Sequence, residues 1–210
     1  MKLGRLPPSS AVAAVVLAAG HSARMGTNKL LVELGGEPLV RHAVTAARAS
    51  VATDVIVVTG TDADRVRAAL AGLAVRFVHN PDHATGMASS LRVGVAAAAG
   101  ARAALICLGD MPKITAAHLD ALIGAFSTAD DDRAIIVPTF EGKRGNPVVW
   151  GRAHFGSIAE LIGDVGARAL IERHLAEVRM VALDHAAVLV DVDTPDALAA
   201  VRAGPGSTAP

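Results

Sequence analysis

Hydrophobic residues along this chain fall into short unbroken runs and helical stripes, and the two patterns alternate. Val12–Leu17 is an apolar, valine-rich run ended by Ala18-Ala19-Gly20, which predicts a buried strand leading into a loop. From Pro38 to Ala49 the period changes. Leu39, Val40, Ala43, Val44 and Ala47 share one side of a helix, with Pro38 able to occupy its first turn. The alternation continues with a strand at Asp54–Thr59, a helix at Asp62–Leu70, a strand at Val75–Val78, a helix at Ala88–Ala99 and a strand at Ala103–Leu108. A helix over Thr115–Phe126 precedes two shorter strands, Ala134–Val137 and Pro147–Trp150, joined by the polar loop Glu141–Asn146, a pattern that suggests an inserted hairpin or an acceptor-facing segment. A helix at Gly166–Leu175, strands at Val178–Leu183 and Val188–Val190, and a helix at Pro195–Val201 complete the series.

Strands separated by helices require crossover connections, so the expected fold is α/β: a largely parallel, Rossmann-like sheet with helices on both faces, in three layers. One domain is expected over residues 11–203. The Pro-, Gly- and Ser-rich ends, residues 1–10 and 204–210, are expected to be disordered tails. Ligands of open parallel sheets bind beyond the carboxyl ends of the strands. The loops after Ala19, His79, Leu108 and Val190 all fall at such ends, so one pocket can collect them.

Composition narrows the chemistry. Lys plus Arg equals Asp plus Glu, 20 against 20, so no global field favours a nucleic-acid backbone or an anionic membrane, and any anion site must be local. One Trp, no Tyr and four Phe leave few platforms for base stacking. No apolar run reaches the roughly 18 residues that span a bilayer, and Pro7-Pro8-Ser9-Ser10 interrupts what would otherwise resemble a leader. The single cysteine, Cys107, has no partner for an internal disulfide, which fits a reducing cytoplasm.

The segment with most chemical content is Leu17-Ala18-Ala19-Gly20-His21-Ser22-Ala23-Arg24-Met25-Gly26-Thr27-Asn28-Lys29. Its glycines let backbone N–H groups approach an anion, and Arg24 and Lys29 supply the charge that a triphosphate demands. It satisfies neither G-x-x-x-x-G-K-[ST] nor G-x-G-x-x-G, which counts against a P-loop and a conventional dinucleotide fold. The eight histidines are scattered and form no H-E-x-x-H, although His21 lies within the phosphate loop. G-x-S-x-G is absent, so covalent catalysis is not indicated. Transfer at phosphorus needs positioning and charge stabilisation, and a divalent metal held by carboxylates supplies both. Asp110, after a buried strand and a glycine, suits that task. Asp193 can be a second ligand or the cap of the helix starting at Pro195, and Asp110 in turn can cap the helix starting near Thr115.

The phosphate loop resembles that of the MobA-like NTP transferases, in the wider sugar-nucleotide and cytidylyltransferase superfamily. Similar elements recur in order over almost the whole chain: Asn80, Gly86-Met87-Ala88-Ser89-Ser90, Gly109-Asp110-Met111-Pro112, Arg144-Gly145-Asn146-Pro147-Val148, Gly163-Asp164-Val165-Gly166-Ala167-Arg168 and Asp191-Val192-Asp193-Thr194-Pro195. The Arg144 and Gly163 segments, with Ala18-Ala19-Gly20, look most like the branch that attaches CMP to molybdopterin. The resemblance implies a fold of the nucleotide-diphospho-sugar transferase type and a magnesium-dependent transfer of NMP, from CTP above others, to a phosphorylated acceptor with release of pyrophosphate. It implies a catalytic role for Arg24, Lys29 and Asp110, and nucleotide contact by Leu17, Ala18, Ala19, Gly20, His21, Ser22, Arg24, Lys29, Asn80, Gly86, Ser89, Ser90 and Gly109. Acceptor contact falls to Arg144, Asn146 and Arg168, and Mg²⁺ to Asp110 and Asp193, with Asp191 supporting the ligands from behind. Molybdopterin is the implied acceptor, and a molybdoenzyme receiving the product a possible partner. Ser89 and Ser90 also read as ordinary helix caps, and Arg144 as a solvated surface residue. Two other classes compete: an NAD(P)-dependent oxidoreductase of the same group acting on a quinoid pigment, and a non-catalytic carrier of the finished cofactor.

Overall fold

The computed structural model describes residues 11–20, 28–164 and 166–203; both expected tails lie outside these. The strands are β1 (Val12–Ala18), β2 (Glu33–Leu34), β3 (Glu37–Pro38), β4 (Asp54–Thr59), β5 (Arg76–His79), β6 (Ala103–Leu108), β7 (Ile135–Phe140), β8 (Lys143–Arg144), β9 (Val148–Gly151) and β10 (Val178–Ala182). The helices are α1 (Leu39–Ala49), α2 (Ala63–Ala69), α3 (Met87–Ala97), α4 (Ala116–Ala129), α5 (Phe155–Ala159), α6 (Arg168–Arg173) and α7 (Pro195–Ala203).

The main sheet runs β10-β7-β9-β6-β1-β4-β5, with β8 appended to β7. β1 pairs in parallel with both β4 and β6, and β4 with β5. β9 is antiparallel to β6 and to β7, and β10 is parallel to β7. The fold is therefore the α/β, Rossmann-like arrangement that the strand–helix alternation predicts, with β9 reversed inside it. The chain first builds outward from β1 through β4 to β5, then crosses to β6 on the other side of β1. That reversal opens a crevice at the carboxyl ends of β1 and β6.

Alternate residues of β1 enter opposite layers, as the pleat requires. Ala14 and Val16 pack with Val40 and Val44 of α1 and with Leu119, Leu122 and Phe126 of α4. Ala13 and Val15 pack with Leu91 and Val95 of α3, Trp150 of β9, Ile158 of α5, and Leu170 and Ile171 of α6. A third group, Leu39 with Val192, Leu198 and Val201, fastens α7 against the start of α1.

Two expectations need correction. Val188–Val190 is not a strand: a 3-10 turn, Ala186–Leu189, occupies most of it, with Ala187 and Val188 buried. A short apolar run reads alike in a strand and in a buried turn. The two short strands after α4 form no separate hairpin together, because β9 inserts between β6 and β7 as a full member of the sheet. The hairpin at this point is β7–β8, turning at Glu141 and Gly142. Among the described residues no helix is long and apolar enough to cross a membrane.

Candidate active site

Lys29 opens the 3-10 turn Lys29–Leu31 and is fixed from both sides. Asn28 caps the turn by accepting from Leu30 N at 3.1 Å and donates through Nδ2 to Asp62 at 3.0 Å, while Leu30 is buried. Asp110 follows β6, where Gly109 N donates to Leu17 O at 3.1 Å and ties the ends of β6 and β1 together. Asp193 arrives from the far end of the chain because Val192 N donates to Asp110 O at 3.0 Å. These three supports bring one ammonium and two carboxylates together. Lys29 Nζ lies 2.5 Å from Asp110 Oδ2 and also contacts Asp193 Oδ1.

The capping alternatives for the aspartates resolve at once. Thr115 caps α4, in a reciprocal pair with His118, and Thr194 Oγ1 accepts from Ala197 N at 3.1 Å at the start of α7. Threonines take these two helix ends, and both aspartates line the pocket. Burial raises the Asp110 carboxyl above the ordinary aspartate value against the opposing pull of Lys29, and the charges of Asp193 and Asp191 add to the rise. Burial would lower the Lys29 ammonium, but the charge and hydrogen bonds of Asp110 and Asp193 outweigh it and raise its pKa. Asp110 Oδ1 is buried with no hydrogen-bond partner among the described residues.

The trio sits in a pocket of about 580 Å³. Of the residues expected to meet nucleotide, Leu17, Ala19, Gly20, Lys29, Gly86, Ser90 and Gly109 line it, as does Asp191. Ala18 faces the core beneath α1. Asn80 and Ser89 stand behind the wall, both buried. Asn80 Nδ2 donates to the hydroxyls of Ser89 and Ser90 at 2.8 and 3.0 Å, and Ser89 Oγ donates to Gly86 O. They brace the start of α3 and do not cap it; Gly86 is the residue at that end. His21, Ser22 and Arg24 lie outside the described residues.

A second cavity of about 230 Å³ adjoins the first and shares Leu17, Met87 and Leu108 with it. Arg144, Asn146 and Arg168, expected around an acceptor, all line this second cavity, together with Leu91, Ile106, Val137, Val148, Trp150 and Ile171. Arg144 is also paired with Glu172 at 3.4 Å. Sequence reasoning missed this apolar lining; the one signal for it was inward-pointing residues at strand ends, with the single Trp among them. It missed His83, Met87 and Asp164 in the first pocket as well. Asp164 Oδ1 accepts from Met87 N at 3.3 Å and Gly163 O from Ala88 N at 3.1 Å, so the 163–164 turn closes onto the first residues of α3.

The family model for the MobA-like NTP transferase domain matches residues 14–178, most of the chain and all but one of the site-bearing strand ends and turns. The chain belongs to that family. Purine catabolism protein PucB of Bacillus subtilis is 30% identical over 202 residues, covering 90% of this chain and 94% of that protein. Bifunctional protein GlmU of Kineococcus radiotolerans is 33% identical over 150 residues, covering 69% of this chain but only 30% of GlmU, so the chain spans under a third of that relative. The crystal structure of Rv0371c from Mycobacterium tuberculosis H37Rv in complex with manganese superposes with a TM-score of 0.75 at 32% identity, covering 89% of this chain and 95% of that one. The MobA-like family is a nucleotidyltransferase family, and the Lys29–Asp110–Asp193 cluster lies at the crevice where its fold leaves room for a ligand.

Proposed function

We propose that the chain transfers CMP from CTP to the terminal phosphate of molybdopterin, or of its molybdenum-loaded form, and releases pyrophosphate. An acceptor phosphate oxygen attacks the α-phosphorus; the new P–O bond forms as the bond from α-phosphorus to the bridging oxygen of pyrophosphate breaks. The observation that carries this reading is the convergence of Lys29 on Asp110 and Asp193 beside a second, arginine-rimmed cavity.

The donor set fits a divalent ion. Two carboxylates from distant parts of the chain meet within reach of one ammonium, and a buried oxygen of Asp110 has no hydrogen-bond partner among the described residues. Asp110 and Asp193 would hold Mg²⁺, a hard ion that takes one or two carboxylates and keeps several waters. When bound, it offsets the triphosphate's charge and orients the α-phosphate. A manganese complex of a relative at 32% identity supports a divalent site of this kind. Lys29 stays protonated, since its pKa is raised, and brings a fixed positive charge to the departing pyrophosphate. The resemblance of the 17–29 segment gives Arg24 the same task. Gly20, Gly86 and Ser90 line the same pocket and would face the nucleotide.

The acceptor assignment rests on the likeness of the Arg144 and Gly163 segments to the cytidylyltransferase branch. The second cavity supports it: an apolar floor containing Trp150 suits a flat heterocycle, while Arg144 and Arg168 offer planar guanidinium forks for its phosphate. The test is pyrophosphate release with each NTP in turn, with and without molybdopterin. Release should require molybdopterin and be fastest with CTP. Equal rates without it, or no preference among the four nucleotides, would refute the assignment.

A further inference from the structure

The end of the sheet opposite the pocket carries an unassigned cluster. β9 runs antiparallel, so its last residue, Gly151, pairs with Ala103 at the amino end of β6, and the chain leaves β9 at that end. His154 ends the 3-10 turn there and is 3% exposed. His174 closes α6, and Glu177 ends the turn that leads into β10. Their ligand atoms all lie within 4.8 Å of one another. Glu177 Oε2 is 3.2 Å from His154 Nε2 and 3.3 Å from His174 Nδ1, yet makes no hydrogen bond among the described residues. Arg133 holds the other oxygen, Oε1, from outside and so turns Oε2 toward the imidazoles.

We infer that His154, His174 and Glu177 form a binding site for a borderline-soft divalent transition ion, zinc in the first place. A tetrahedral ion with donors at about 2.0–2.1 Å sets neighbouring donors roughly 3.3 Å apart, and two of the three edges already have that length. Two imidazoles with one carboxylate select zinc or cobalt over magnesium, whose preference is for oxygen. His154 Nε2 lies 2.7 Å from Arg133 O, an acceptor, so in the metal-free chain this nitrogen carries the proton. The ion takes that proton's place, and the neutral imidazole then carries its proton on Nδ1. The ion fastens β9, α6 and the edge strand β10 to one another. It acts at the C-terminal end of a helix whose first residue, Arg168, lines the acceptor cavity.

The untagged full-length chain tests this by zinc calorimetry, cobalt absorption and thermal melting. The wild type and Asp110→Asn, which removes the ligand proposed for magnesium, should each bind one zinc per chain. Both should give tetrahedral cobalt bands and gain roughly 5 °C or more in Tm at a hundredfold excess over Kd. His174→Ala, at a partly buried position, should lose the bands and the gain. Glu177→Gln should weaken binding at least about tenfold. No stoichiometric zinc in the wild type, zinc binding that survives His174→Ala unchanged, or binding abolished by Asp110→Asn would overturn the site.

Discussion

Asp110 is a buried carboxyl whose charge Lys29 offsets only in part. Its carboxyl is mostly buried and its pKa is raised, so the folded chain binds that proton more tightly than the unfolded chain does. Its contribution to stability is therefore full at pH below the unfolded value and is lost as pH rises through the folded one. A bound divalent ion reverses the sign, because it interacts with the ionised form alone. The rise in Tm on adding Mg²⁺ should vanish in acid, below the Asp110 pKa, and grow as pH passes upward through it. Melting curves with and without the ion across that range measure the effect; Asp110→Asn should show no such pH dependence. At this scale Lys29 and Asp110 are legible in the sequence, because a lysine after a glycine-rich loop and an aspartate after a strand and a glycine each imply polyanion chemistry. Asn80 and Ser89 read as ligand-facing yet stand behind the wall, because a spacing along the chain cannot tell which side of it a hydroxyl faces.

The start of α3 is where an element positions the site. Gly86 has φ 108°, and a Cβ there would lie 2.5 Å from both C and O of Gly163, so the close approach of the 163–164 turn to α3 exists only with glycine at this position. Gly142, in the turn between β7 and β8, has φ 76° but open space around a Cβ. Gly86→Ala should lower stability by about 1–3 kcal/mol through backbone strain, and by more than Gly142→Ala, since a backbone collision is added; urea denaturation of both variants gives the difference. The strands and long helices are readable from period and apolar runs. The 3-10 turn at Ala186–Leu189 is not, because buried apolar residues look the same in either conformation. Nor is α5, whose five residues are too short to display a period. The β2–β3 hairpin leaves a trace in Gly35-Gly36, a two-residue turn of the type that favours glycine.

On the scale of the whole molecule, the site is made by topology. Lys29 comes from before α1, Asp110 from the end of β6 and Asp193 from just before α7, and the reversal of strand order at β1 and β6 lets them meet. The alternation of strands and helices implies such a crevice, but pairwise strand order, and the insertion of β9 between β6 and β7, lie beyond what periodicity encodes. If one bound triphosphate spans Lys29 on one side and a carboxylate-held cation on the other, the residues act as a unit and their losses do not multiply. The direct test is a double-mutant cycle in kcat/KM for pyrophosphate release with wild type, Lys29→Ala, Asp110→Asn and the double variant. Each single change should cost at least about a hundredfold, and the double variant should be little worse than the more damaged single. Costs that multiply in full, or a Lys29→Ala enzyme as fast as wild type, would contradict a shared site.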